Sequence, residues 1–147
     1  MRKMSGSATS GFAGEYFVAA ELAKMGHIAL ITLRNTEAVD IVATNEKKKA
    51  VLIQVKTQQG NGHKWPLTFK AEKSKSNFFY VFVTLKGRGE RPEYYIVPSR
   101  VVAKSIAKNH RKWLKTPGRD GRAHKDNPMR IFVDYKAWSE KWDILGL

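Results

Sequence analysis

The chain has 147 residues, 42% hydrophobic and 11% aromatic, which suits one domain with a real core and excludes global disorder. It contains no cysteine, which excludes a disulfide scaffold and thiolate-bound zinc and fits a reducing cytoplasm, and no apolar run approaches the about 20 residues of a membrane span. With 27 Lys and Arg against 13 Asp and Glu the net charge is +14, which points to a polyanionic partner, nucleic acid before an anionic membrane surface, because no Trp/Leu-faced interfacial helix is present.

Residues 1–10, MRKMSGSATS, are positively charged without the apolar stretch of a signal peptide and read as a disordered Ser/Gly-rich lead. Residues 11–147 read as a single domain, with no repeat and no linker. GFAGEYFVAAELAKMG (11–26) predicts a helix closed by Gly26. Strands are expected over 27–34 and 38–44, then a turn at NEKKK and a third strand over 50–57. QQGNG opens a polar loop, and 70–77 suits a short helix. FFYVFVTL (78–85) is apolar enough for a strand buried on both faces. GRGERP is a turn, EYYIV a strand, and 98–114 a helix with Ser99 at the N-cap. A basic loop, KTPGRDGRAHKDNP, precedes a short C-terminal element ending in WDILGL, where Trp138 and Trp142, spaced i, i+4, read as core staples.

Polar positions within these elements do not fit as plain surface. Glu15 falls inside the apolar arc of the first helix, between Leu22 and Ala19, whereas Glu21 and Lys24 lie opposite. A buried carboxylate costs several kcal/mol unless something meets it, so taken alone Glu15 reads as an arc-edge residue reaching water. Asp40, in AVDIVAT, is a poor strand former in mid-strand, and its plain reading is a strand-end residue facing solvent. In VLIQVKT, Val51, Ile53 and Val55 alternate with Leu52, Gln54 and Lys56, which puts an amide and an ammonium on one face of a central strand. Lys56 alone suits a snorkelling strand-end lysine. The short NEKKK turn makes the two strands hairpin neighbours, so Asp40 can share a face with Gln54 and Lys56. With Glu15 approaching from the helix, these groups would form a hard-cation site with a catalytic lysine beside it.

Glu15, Asp40 and Gln54-Val55-Lys56, in helix–strand–strand–strand order, resemble the PD-(D/E)XK nuclease superfamily. The pattern is nearest to archaeal Holliday-junction resolvases and to restriction endonucleases with a QxK variant. The resemblance covers residues 11–57 and, more loosely, FFYVFVTL and YYIVPS. No proline precedes Asp40, and Gln54 stands where most members carry Asp or Glu. The resemblance implies an α/β fold of restriction-endonuclease type, a mixed β-sheet flanked by helices with an α-β-β-β-α-β core. It implies a Mg²⁺-dependent DNA endonuclease that hydrolyses phosphodiester bonds. Glu15, Asp40 and Gln54 would hold the ion, with the Val55 carbonyl as a further oxygen, and Lys56 would orient the attacking water or offset charge on the phosphate. Cutting both strands calls for two such sites, and so for a homodimer.

The second helix supports nucleic acid independently of any family. Lys104, Lys108, Arg111 and Lys115 fall within about one sixth of the helix circumference, opposite Val102, Ile106 and Trp113. Residues 104–125 carry eight Lys and Arg against Asp120 alone. Most charge stripes are solvated faces, but one without Glu–Lys pairing suits a phosphate track. His63 suits either a loop contact to substrate or a solvated residue, and His110 and His124 lack ligand partners at useful spacing. No HExxH, Walker A loop or GxSxG elbow is present. Two alternatives stay open: a catalytically silent nucleic-acid-binding domain on the same fold, motivated by Gln54, and a basic RNA-associated protein with an incidental motif.

Overall fold

Helix α1 (Ser7–Lys24) opens the computed structural model, which describes residues 6–33 and 38–147, with Ser7 by its main chain alone. Residues 1–5 of the expected lead lie outside the described residues, and the lead is helical from Ser7 on. Ser, Thr and Gly are weak helix formers, so the local signal starts late. Tertiary contact makes up for it: Ser10 is buried and accepts a hydrogen bond from the Gln59 amide nitrogen. Gly26 ends the helix as expected, at φ 85°, with its N–H on the Ala23 carbonyl and the His27 N–H on the Leu22 carbonyl.

Strands β1 (Ile28–Ile31), β2 (Ile41–Thr44) and β3 (Ala50–Gln59) form an antiparallel meander. After β4 (Trp65–Thr68) and a 3₁₀ turn (Phe69–Glu72), β5 (Phe78–Leu85) pairs parallel to β3 and β6 (Glu93–Pro98) antiparallel to β5. The five-stranded mixed sheet has the order β1-β2-β3-β5-β6. Helix α2 (Ser99–Lys115) follows, and β7 (Met129–Phe132) pairs with β4 as a separate two-stranded sheet. Strands β1 and β2 are shorter than the expected 27–34 and 38–44, and β3 runs two residues longer than expected. β4 was not legible because proline occupies one of its four positions, which suits only an edge pairing. The helix expected at 70–77 is only the 3₁₀ turn.

Two layers cover the sheet. Val18 and Leu22 of α1 pack on Ile41, Ile53, Val55 and Val81 on one face. On the other, Phe82 and Val97 meet Trp65, Phe132, Val102 and Ile106 from β4, β7 and α2. β5 is buried on both faces, as its unbroken apolar run requires. Ser99 is not the N-cap of α2; Pro98 holds that position. The Ser99 hydroxyl instead accepts the Lys75 N–H at 3.0 Å and ties the β4–β5 crossover to the helix. Trp138 and Trp142 lie on two separate 3₁₀ turns and pack on different clusters, so their i, i+4 spacing does not mark one helix.

The α1–β3 approach depends on Gly14. A Cβ there would stand 1.9 Å from the Thr57 hydroxyl oxygen, whereas one at Gly11 meets nothing within 4 Å. Overpacking of this kind costs about 1–3 kcal/mol. Gly14→Ala should therefore lower the urea-unfolding free energy by that amount, while Gly11→Ala leaves it unchanged or raises it. In a double-mutant cycle, Thr57→Ala should recover most of the Gly14→Ala loss.

Candidate active site

Strand β3 is built from two unlike faces. Val51, Ile53 and Val55 are buried toward α1, while Leu52, Gln54 and Lys56 are half-buried on the other side. Gln54 and Lys56 form the floor of an open cleft of about 570 Å³, together with Tyr80, which stands opposite Gln54 in the parallel register. One wall is Pro66 and Leu67 of β4, another Lys70 and Lys75 of the crossover. Burial raises the Tyr80 hydroxyl above its ordinary pKa, so near neutrality it is a neutral donor. Lys56, Lys70 and Lys75 thus line one cleft whose lining, among the described residues, includes no carboxylate. An anion is the ligand such a surface favours.

Asp40 immediately precedes β2 rather than standing within a strand. Its N–H donates to the Ile53 carbonyl at 2.9 Å, and its carbonyl accepts the Thr32 N–H at 2.9 Å. Its Oδ2 accepts the Val55 main-chain N–H at 2.7 Å. Regular β2–β3 pairing ends at Ile41–Ile53, so the carboxylate takes the place of the missing strand carbonyl. That oxygen therefore lies near the plane of the sheet, at the β3 edge, rather than above the face that carries Gln54 and Lys56. Asp40 adjoins the backbone of the residue between them.

Glu15 is half-buried on the turn of α1 next to Gly14, at the level of Thr57. The structure thus brings Gln54 and Lys56 together in the cleft, sets Asp40 at the strand edge beside Val55, and leaves Glu15 on α1, the helix that packs on the other face of β3. Among the described residues no three His, Cys, Asp or Glu side chains gather as a metal cage. Asp40, Glu15 and the Gln54 amide each carry oxygen, the donor atom that magnesium takes.

Lys104, Lys108, Arg111 and Lys115 lie on the exposed face of α2, with Val102 and Ile106 fully buried opposite. His63 is neither in the cleft lining nor simply solvated. Its Nε2 meets Glu93 at 2.8 Å and its ring stacks on Tyr135 at 4.4 Å. Burial disfavours a charge on Glu93, but bonds from His63, Lys86 and Tyr95 outweigh it and hold the carboxyl at about 2. Sequence reasoning missed Lys70, Lys75 and Tyr80; the sole signal was the density of lysine over 64–75.

No protein-family model matches the chain, and no curated protein matches it significantly in sequence. Solved structures do. The chain is similar to the bacterial homing endonuclease I-Ssp6803I, with TM-score 0.58 and 13% identity, over 97% of this chain and 92% of that one. It is similar also to Hjc, a Holliday junction resolvase from the archaeal hyperthermophile Archaeoglobus fulgidus, with TM-score 0.52 and 13% identity, over 92% of this chain and 95% of that one. The chain has the restriction-endonuclease-like fold expected for it. No helix among the described residues is long and apolar enough to cross a membrane.

The Asp40–Val55 bond is open to a direct stability test. Asp40→Ala leaves a main-chain N–H without its acceptor and should cost about 1–3 kcal/mol in urea unfolding. Asp40→Asn keeps an oxygen in place and should cost clearly less. Equal losses in the two variants would show that the side-chain oxygen does not hold this edge.

Proposed function

We propose that this protein is a Mg²⁺-dependent DNA endonuclease that hydrolyses phosphodiester bonds in the cleft floored by Gln54 and Lys56. The single observation behind the proposal is the seating of the Asp40 carboxylate on Val55, the residue between those two. The fold shared with a homing endonuclease and a Holliday junction resolvase supports the reaction class, and the +14 charge supports a polyanionic substrate. Asp40, Glu15 and Gln54 are the groups assigned to the ion, which when bound would polarise the scissile phosphate and lower the pKa of a water.

Lys56 offers its ammonium from the cleft floor to the attacking water or to charge growing on the phosphate oxygens. Lys70 and Lys75, across the cleft, take the flanking phosphates, and the neutral Tyr80 hydroxyl offers a hydrogen bond. The α2 stripe of Lys104, Lys108, Arg111 and Lys115 gives the duplex a further phosphate track. Cleavage of both strands in one encounter asks for two copies. The edge strand β1, with Ile28 and Leu30 60% and 57% exposed, supports a homodimer. Gln54 favours one second reading, a silent DNA-binding domain on the same fold, because an amide gives a cation less charge than the usual acid.

Lys56→Ala should abolish Mg²⁺-dependent cleavage of branched or duplex DNA while leaving affinity within a few-fold, since one lysine is a minor part of the +14 surface. A variant that cleaves normally removes Lys56 from the site. A wild-type protein that binds but never cuts, with or without Mg²⁺, leaves the silent domain.

Gln54→Glu adds a charge beside the ion with little change in shape. It should lower the Mg²⁺ concentration for half-maximal cleavage, and Mg²⁺ should raise the melting temperature of this variant more than that of the wild type. Destabilisation that Mg²⁺ does not rescue would take Gln54 out of the donor set.

A further inference from the structure

A second cavity, of about 300 Å³, opens between the C-terminal half of α2 and β7. Asn109, His110 and Trp113 line it from the helix, Met129 and Ile131 from the strand. Met129 lines the active-site cleft as well, so the two cavities meet at this side chain. We infer that this cavity binds an unpaired nucleobase of a strand that also runs over the cleft.

The walls carry the chemistry of a base site. Trp113 stacks on His124 at 4.1 Å with 17° between planes, and on His110 at 5.5 Å with 27°. Asp126 fixes His110 through a 2.8 Å bond to Nε2. The flat column is therefore held in place before any ligand arrives. Met129 and Ile131 are 56% and 43% exposed, an apolar surface on a strand whose alternate residues, Arg130 and Phe132, are buried. Asn109 donates one bond to Asp134 at 3.0 Å, and an amide has further donor and acceptor positions for a base edge.

Charge decides between a base and an apolar side chain of a protein. The helix that carries Trp113 exposes Lys108, Arg111 and Lys112 around it, within a segment (104–125) of eight cations and one Asp, and the two acids at the cavity, Asp126 and Asp134, are bonded to His110 and Asn109. A nucleotide presents a flat ring and an anion one bond network apart, which this combination of stack and cations matches. The volume is at the low end for small-molecule pockets and suits one ring system, not a base pair with its backbones. Bases within a duplex are stacked and present only their edges, so the occupant is unpaired.

The inference rests on nucleic acid as the partner and not on cleavage, so binding is measured without Mg²⁺. Fluorescence anisotropy would compare a labelled oligothymidine with an abasic oligomer of the same length, which keeps the phosphates and lacks the rings. The wild type should prefer oligothymidine by roughly 5- to 100-fold, the effect of one stacked base. Trp113→Ala should remove that preference and leave the dependence of affinity on salt unchanged, because no phosphate contact is lost. Trp113→Phe should retain most of it. Ile131→Glu, at a half-exposed position, should remove it too and serves if Trp113→Ala does not fold. Equal wild-type affinity for both oligomers overturns the base site while leaving nucleic-acid binding intact. Preference retained by a folded Trp113→Ala or Ile131→Glu protein overturns it as well, and no binding of either oligomer overturns the partner itself.

Discussion

The hydrogen bond from the Val55 main chain to the Asp40 carboxylate is the point on which the rest of the site turns. Pairing between β2 and β3 ends at Ile41–Ile53, and the next N–H facing that edge belongs to Val55. Left without an acceptor, it would cost about 1–3 kcal/mol. Asp40 meets it from the end of the neighbouring strand, which fixes where the sheet opens. It also brings a negative oxygen to the backbone between Gln54 and Lys56.

The side-chain directions on β3 follow from burial rather than from the site. Val51, Ile53 and Val55 must stay under α1, and the period of a strand is two. A slip of one residue would drive Gln54 and Lys56 into that core. The same alternation that builds one core therefore holds the amide and the ammonium in the cleft. Gly14 lets α1 lie close enough to enforce it.

Charge is divided by place. Glu21 and Glu140 meet Arg91, Glu72 meets Arg130, and Glu93 meets Lys86 and His63. All but the Lys86–Glu93 pair join segments far apart in sequence, as α1 is joined to the C-terminal segment through Arg91. None of these acids pairs with Lys56, Lys70 or Lys75, or with the cations of the α2 stripe. Repulsion among those cations opposes the compact state of the bare protein and is relieved when a polyanion binds. The crossover that the parallel β3–β5 pairing demands supplies the cleft wall. It runs over residues 60–77, and the Lys75 N–H bond to Ser99 anchors its end to α2.

Much of the fold was legible because its signals are local. The Val51–Val55 alternation, the unbroken apolar run of β5, Gly26 at the helix end and the basic stripe of α2 each rest on neighbours in sequence. So did the choice of Gln54, Lys56, Asp40 and Glu15 as candidates, since each breaks an apolar pattern that surrounds it. What the sequence did not determine is where their groups meet. The carboxylate of Asp40 lies at the strand edge rather than on the face of Gln54, because a main-chain N–H fifteen residues away needed an acceptor. Lys70, Lys75 and Tyr80 joined the cleft through the crossover and the parallel register, and His63 left it for Glu93, thirty residues on. Such placements depend on contacts between distant segments, which only the packed chain creates.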